Sequence, residues 1–181
     1  MLGRVADSEL RGNLKVMQSS TASKRIALAA LLAGIAVVLS PFYIPLGDTK
    51  CFPAQHMVNA IGGVLLGPWY AVLIALITGS IRNMLGLGTI YAYPGGVFGG
   101  LVVGIIYRYM KKTDIAAILE PLGTVIIGGT VSALVVTPYL GRATTLSFFW
   151  IAFAASSIPG SILGFVILKT IRRVGLAKHF V

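Results

Sequence analysis

Long apolar stretches without a charged side chain constrain this chain more than any other feature. No charged residue occurs between Arg25 and Asp48, between Glu120 and Arg142, or between Arg142 and Lys169. Over the whole sequence 56% of the residues are hydrophobic and 11% are charged, whereas soluble domains carry about 25% charged residues. Because lipid cannot hydrogen-bond to the backbone, such stretches form membrane helices. We therefore predict an all-α membrane protein.

The apolar pattern predicts one bundle of six transmembrane helices over residues 24–173, with tails at residues 1–23 and 174–181. The expected spans are about 26–40, 53–66, 71–85, 95–109, 116–138 and 146–171. Two prolines and a glycine in residues 40–48 break the helix there. The second span would be only about 21 Å long, against a hydrocarbon core of about 30 Å. The preceding loop is therefore expected to dip into the membrane.

Basic residues are concentrated on one side of the expected bundle. Of the 15 lysines and arginines, twelve fall before the first span, between the fourth and fifth spans, or at the carboxyl end. Only Lys50, Arg82 and Arg142 fall on the other side. The positive-inside rule then places both termini in the cytoplasm. Topology thus accounts for the net charge of +10, and no nucleic acid is expected as a partner.

The densest group of polar side chains lies at the start of the second span, and it comprises Cys51, Gln55, His56 and Asn59. Pro53 is suited to the first turn of a helix, and His56 and Asn59, three apart, share a helix face. Polar groups in a membrane helix are costly unless they are paired or face a cavity. We interpret them as candidate ligand contacts. The alternative is that they cap the helix and bond to neighbouring helices.

Further candidates follow in the next predicted loops. The segment 86–96 combines glycines with Tyr91 and Tyr93, a combination suited to a moving lid. Arg82 and Asn83 end the third span, where Arg82 either extends to the headgroups or turns inward to a ligand. Trp150 begins the sixth span and is a candidate for covering a ligand.

The sequence lacks the common motifs of catalysis and of metal binding. It has no phosphate-binding loop of the Gly-x-x-x-x-Gly-Lys-Ser/Thr type, and His56 and His179 are too far apart in sequence to form a metal-binding motif. None of the five acids falls in the middle of an expected span, which disfavours a proton- or sodium-coupled carrier. We expect no enzymatic activity, no metal and no cofactor.

Several segments together resemble a substrate-binding S component of an energy-coupling factor transporter. The closer resemblance is to the ThiW type, which is assigned to the thiazole moiety of thiamin. The segments lie within residues 24–171 and are Ser40–Pro45, Lys50–Asn59, Leu66–Ala71, Arg82–Gly86 and Pro94–Gly99. The Cys-Phe-Pro-x-Gln-His motif is fairly specific, whereas the small-residue motifs are not.

The resemblance implies a multi-pass subunit of the prokaryotic plasma membrane, embedded in lipid, that binds a small molecule near the extracellular face. It also implies a transmembrane coupling subunit and two ATPase subunits as partners. The first helix would meet the coupling subunit through small residues four apart. Two registers are open, Ala29 with Ala33 or Ala30 with Gly34. Packing inside the bundle is the alternative use of these residues.

Hydroxyethylthiazole is the expected ligand of such a subunit. It is small, flat and neutral, so it needs apolar or aromatic walls and few hydrogen-bonding groups. Because no cluster of basic residues is evident, the free alcohol is favoured over its phosphate. Thiamin is the main alternative ligand, and a self-sufficient ion-coupled carrier is the alternative function.

Overall fold

The computed structural model describes residues 21–46, 49–110 and 112–175. Most of the two expected tails lies outside these residues. The described part contains six helices and one β-hairpin, with the elements α1 (Thr21–Val38), β1 (Ile44–Leu46), β2 (Thr49–Cys51), α2 (Pro53–Leu65), α3 (Pro68–Met84), α4 (Ala92–Tyr109), α5 (Asp114–Tyr139) and α6 (Leu146–Arg173). The all-helical class is confirmed, and the number of spans and the side of the termini stay predictions.

Among the described residues, three helices, α1, α5 and α6, are long and apolar enough to cross a membrane. Large apolar side chains are exposed along the outer surfaces of the helices, among them Leu31, Leu73, Ile126, Ile151 and Val166. A soluble protein rarely exposes apolar surface on this scale. The fold is therefore that of a membrane protein, with lipid as the natural neighbour of these side chains.

α2 lies at the centre of the bundle. It begins at Pro53, whose missing N–H costs nothing in a first turn, and ten of its 13 residues are buried. The glycine at position 160 lets α6 pack closely against it, because a Cβ there would collide with the carbonyl oxygen of Pro53 and with Cβ of His56. The polar side chains of α2 consequently lie inside the protein.

α1 presents one of its two small-residue registers to the core. Ala29 and Ala33 are buried together with Leu28, Leu32 and Ala36. Ala30 and Gly34 are on the exposed side, where they line a shallow apolar groove. Ala29 and Ala33 therefore pack inside the bundle. Of the two pairs, only Ala30 and Gly34 lie on the surface, where a partner helix can contact them.

The segment before α2 forms a hairpin, which the sequence did not predict. Strands β1 and β2 pair antiparallel, with Ile44 opposite Cys51. The hairpin is fixed to α6 where the backbone N–H of Phe52 donates to Oγ of Ser156, 2.7 Å away. This attachment places the hairpin over the first half of α6.

The far end of α6 carries a separate polar contact. Nε of Arg172 lies 2.7 Å from a carboxylate oxygen of Asp114, and Nη2 donates to the hydroxyl of Tyr107. These bonds join α4, α5 and α6 about 24 Å along the helix from Ser156. The bundle thus has a hairpin end and an opposite end with its own tie between helices.

Candidate functional site

A cavity of about 440 Å³ lies at the hairpin end of the bundle. Its volume falls within the range of about 300–1,000 Å³ that is usual for small-molecule sites. Its lining includes polar, basic and aromatic side chains, namely Lys50, Phe52, Gln55, His56, Arg82, Tyr91, Arg142, Phe148, Phe149, Phe153 and Ser156. They come from β2, α2, α3, α6 and the two loops that follow α3 and α5, so the cavity exists only in the folded bundle.

A buried carboxylate supports the floor of the cavity. Oε1 of Glu120 on α5 lies 2.9 Å from Nδ1 of His56 and accepts from Nδ2 of Asn59 at 3.1 Å and from Oγ1 of Thr124 at 2.6 Å. An ionised carboxylate only accepts hydrogen bonds, so we assign the Nδ1 proton to His56. Gly99 makes room for this cluster, because a Cβ there would overlap the Glu120 and Thr124 oxygens. The cluster therefore fixes the orientation of the imidazole at the cavity.

Arg82 lies in the last turn of α3, and its side chain points into the bundle. The side chain is 1% exposed, and Nη1 donates to Oε1 of Gln55. Nε2 of Gln55 donates in turn to the carbonyl of Ala92 at 3.3 Å, which fixes the orientation of the amide. The guanidinium also stacks on the ring of Phe52, with Cζ 4.0 Å from the ring centroid. The side chain of Arg82 therefore turns inward and does not extend to the lipid headgroups.

Aromatic rings form the α6 side of the cavity. The ring of Tyr91 lies 4.8 Å from that of Phe149, which in turn packs edge-to-face against Phe148 and Phe153. The hydroxyls of Thr137 and Tyr91 lie 3.2 Å apart, within hydrogen-bond distance. Such a wall offers flat, apolar surface to an aromatic ligand.

Three basic side chains line the same cavity, namely Lys50 on β2, Arg82 on α3 and Arg142 in the loop between α5 and α6. No carboxylate is among the described residues that line it. The expectation that the site lacks a basic cluster is therefore wrong. The error arose because these residues are far apart in sequence and converge only in the fold.

Four of the nine residues predicted to contact a ligand line the cavity: Gln55, His56, Arg82 and Tyr91. The others, Cys51, Asn59, Asn83, Tyr93 and Trp150, lie outside the lining.

Four of the five outside have other partners, and Asn59 donates to Glu120 as described above. Cys51 is the last residue of β2, and its buried thiol lies 3.7 Å from the carbonyl oxygen of Ala152. Burial raises the pKa of this thiol. Tyr93 bonds with Ser80, and Trp150 donates to Thr130.

Glu120 is the functional side chain that the sequence interpretation missed. No acid was expected in the middle of a span, and Glu120 lies near the start of the fifth, yet its side chain is completely buried. A signal was present, since Glu120 falls four residues into the expected fifth span, and an ionisable group within a span is a functional candidate by default. Its partner on α2 was not evident, because His56 is 64 positions away.

The fold and the cavity define a class, a helical membrane protein with an interior site of small-molecule size. A family model described as thiamine-precursor transporter protein (ThiW) matches residues 26–174. The chain belongs to this transporter family, which confirms the resemblance noted in the sequence. Comparison with curated proteins and with solved structures gave no match.

Proposed function

We propose that this chain is the substrate-binding S component of an ATP-driven energy-coupling factor importer for a thiazole-type precursor of thiamin. The observation that carries the proposal is the cavity beneath the hairpin, with a wall of aromatic rings on one side and the buried His56–Glu120 pair on another. Flat apolar walls and a few fixed polar groups suit a small heterocycle. Membership of the thiamine-precursor family supports the same assignment.

The thiazole ring packs against Phe149 and Phe153, and its heteroatoms bond to His56 and Gln55. In this proposal Nδ1 of His56 is engaged by Glu120, so Nε2 is the ring nitrogen that is left to bond to the ligand. A hydroxyl group on the ligand can bond to it, because a hydroxyl both donates and accepts. Thiamin is less suitable, because its cationic ring would meet basic residues in a lining with no described carboxylate.

The coupling subunit packs on the outer face of α1. Ala30 and Gly34 support this part of the proposal, because they are four apart on an exposed apolar groove. Small residues at that spacing allow two helices to approach closely in lipid. Ligand is bound from outside the plasma membrane, and both termini lie in the cytoplasm with the ATPase subunits.

Mass spectrometry of ligand that co-purifies with the protein tests the substrate, and uptake into liposomes tests the mechanism. We expect uptake of radiolabelled thiazole only when the coupling and ATPase subunits are present and ATP is supplied. Uptake by this chain alone would contradict the proposal. The matched control is the same complex with ATPase subunits that cannot hydrolyse ATP.

One observation favours the alternative of an ion-coupled carrier. Glu120 is a buried carboxylate next to an imidazole, and buried acids are the usual proton sites of such carriers. The two functions are separated by imposing a proton gradient on liposomes that hold only this chain. Uptake that follows the gradient would establish the carrier, and uptake that requires ATPase subunits would exclude it.

A further inference from the structure

We infer that the ligand of this cavity carries an anionic group, a phosphate monoester or a carboxylate, which Arg82 binds together with Lys50 and Arg142. The inference deepens the proposed function and rests on it, because it specifies the chemical form of the heterocycle. It replaces the neutral alcohol, which the sequence favoured while the three basic residues were known only as separate positions.

The Arg82 side chain is buried with part of its hydrogen-bonding capacity unused. Its Nη1 donates to the neutral amide oxygen of Gln55, while Nε and Nη2 are buried and have no hydrogen-bond partner among the described residues. Nor does Arg82 form an ion pair with any carboxylate in the described part of the chain. A buried cation without a counter-charge is strongly unfavourable. The side chain is therefore arranged for an anion that is not part of the described protein.

The geometry of the guanidinium specifies how that anion binds. Nε–H and Nη2–H form one edge of the planar group and point in the same direction. Two oxygens of a phosphate or carboxylate accept from such an edge at once, which makes the contact both strong and directional. The opposite side of the guanidinium is already occupied by Gln55, and its face by Phe52. The unpartnered edge is thus the one suited to a two-oxygen acceptor.

The distribution of basic residues around the cavity also supports an anionic ligand. The predicted topology places three basic residues on the outer side of the membrane, Lys50, Arg82 and Arg142. All three line the cavity. The positive-inside rule does not account for charges on that side. The acid beneath the floor, Glu120, is bonded to His56, Asn59 and Thr124. Recognition of an anion explains why these three basic residues line one cavity.

The test compares three related probes on the purified full-length protein in nanodiscs: hydroxyethylthiazole, its phosphate monoester and the corresponding thiazole acetate. Affinities are measured by isothermal titration calorimetry. We expect at least one of the two anions to bind about tenfold or more tightly than the alcohol, since charge-assisted hydrogen bonds are roughly twice as strong as neutral ones.

Variants show whether the preference resides in these side chains. Arg82→Gln should reduce the preference for the anion about tenfold or more. Because Arg82 is buried and its variant could misfold, Lys50→Gln with Arg142→Gln serves as a second test at two exposed positions. The matched control is Arg173→Gln, which removes one exposed charge at the other end of α6 and should leave all three affinities unchanged. An anion preference that persists in Arg82→Gln and in the double variant would overturn the inference.

The outcomes also separate this inference from the proposed function. If the alcohol binds as tightly as both anions, the inference fails while the thiazole assignment stands. If no thiazole binds, inorganic phosphate is the remaining probe. Thermal stabilisation by phosphate in the wild type and not in Arg82→Gln would support the anion site and refute the thiazole. Absence of any effect of phosphate would overturn both.

Discussion

Nδ1 of His56 on α2 lies 2.9 Å from Oε1 of Glu120 on α5, and both side chains are buried beneath the cavity. The same carboxylate oxygen accepts from Asn59 and Thr124. Three donors from two helices thus hold one acceptor in place. Because the imidazole also lines the cavity, this contact links the packing of the bundle to the orientation of a ligand-binding group.

Removal of the Glu120 carboxylate should destabilise the protein. Glu120→Ala leaves the His56, Asn59 and Thr124 donors without their acceptor, and loss of one partner of a buried pair costs about 3–5 kcal/mol. Glu120→Gln retains an acceptor oxygen and should cost less. Thermal unfolding in detergent measures both. Asp114→Ala is the control, since its partner Arg172 is partly exposed, and an equal loss there would contradict a special role for Glu120.

His56 and Asn59 should separate binding from stability. His56→Ala removes a cavity-lining group and should weaken binding of the preferred thiazole by about 1–3 kcal/mol, the usual cost of an unmade buried hydrogen bond. Asn59→Ala removes a donor to Glu120 outside the lining, so it should lower stability and change affinity much less. Calorimetric titration of both variants checks the prediction. A larger affinity loss in Asn59→Ala would reverse these roles.

Gly99→Ala should disturb the cluster from the α4 side. A Cβ at this position would overlap the Glu120 and Thr124 oxygens, and overpacking in a core costs about 1–3 kcal/mol. Gly34→Ala is the matched control, because a Cβ there meets no atom within 4 Å. It should be neutral or stabilising by about 0.5–1 kcal/mol, as an alanine is in a helix interior. Unfolding midpoints that fall equally would argue against the overlap.

The two small-residue pairs of α1 should give opposite phenotypes. Leucine at both Ala30 and Gly34 should block co-purification with the coupling subunit and leave ligand affinity intact. Leucine at both Ala29 and Ala33 should lower the stability of the protein itself, because these side chains are buried in the core. Pull-down and thermal unfolding on the same preparations distinguish the two effects. Normal assembly of the Ala30→Leu, Gly34→Leu variant would exclude this face as the docking site.

Membrane orientation is testable by cysteine labelling in intact cells. Phe42 on the hairpin side is exposed, as is Arg173 at the other end of the bundle. An impermeant maleimide should label Phe42→Cys in intact cells and Arg173→Cys only after lysis. The native Cys51 is 2% exposed and burial raises its thiol pKa, so its background reaction should be slow. Labelling of Arg173→Cys in intact cells would refute cytoplasmic termini.

The helical class and a candidate position for the site were accessible from the sequence, because both inferences depend on local properties. Long apolar runs that do not alternate with polar residues form helices in lipid, and Pro53 favours a helix start at α2 whatever the rest of the chain does. The polar cluster on α2 was a candidate site for the same reason. The family was likewise evident from contiguous motifs.

Tertiary structure alone decided which side chains meet at the site. Glu120 contacts His56, which is 64 positions away in the sequence, and Arg82 contacts Gln55, which is 27 positions away. No local sequence pattern specifies such pairs. The register of α1 was equally open, since both small pairs have the same spacing and only packing buries Ala29 with Ala33. The basic character of the cavity lining is likewise a result of tertiary structure. Basic residues that are isolated in the sequence line one cavity because the fold brings β2, α3 and the loop before α6 together there.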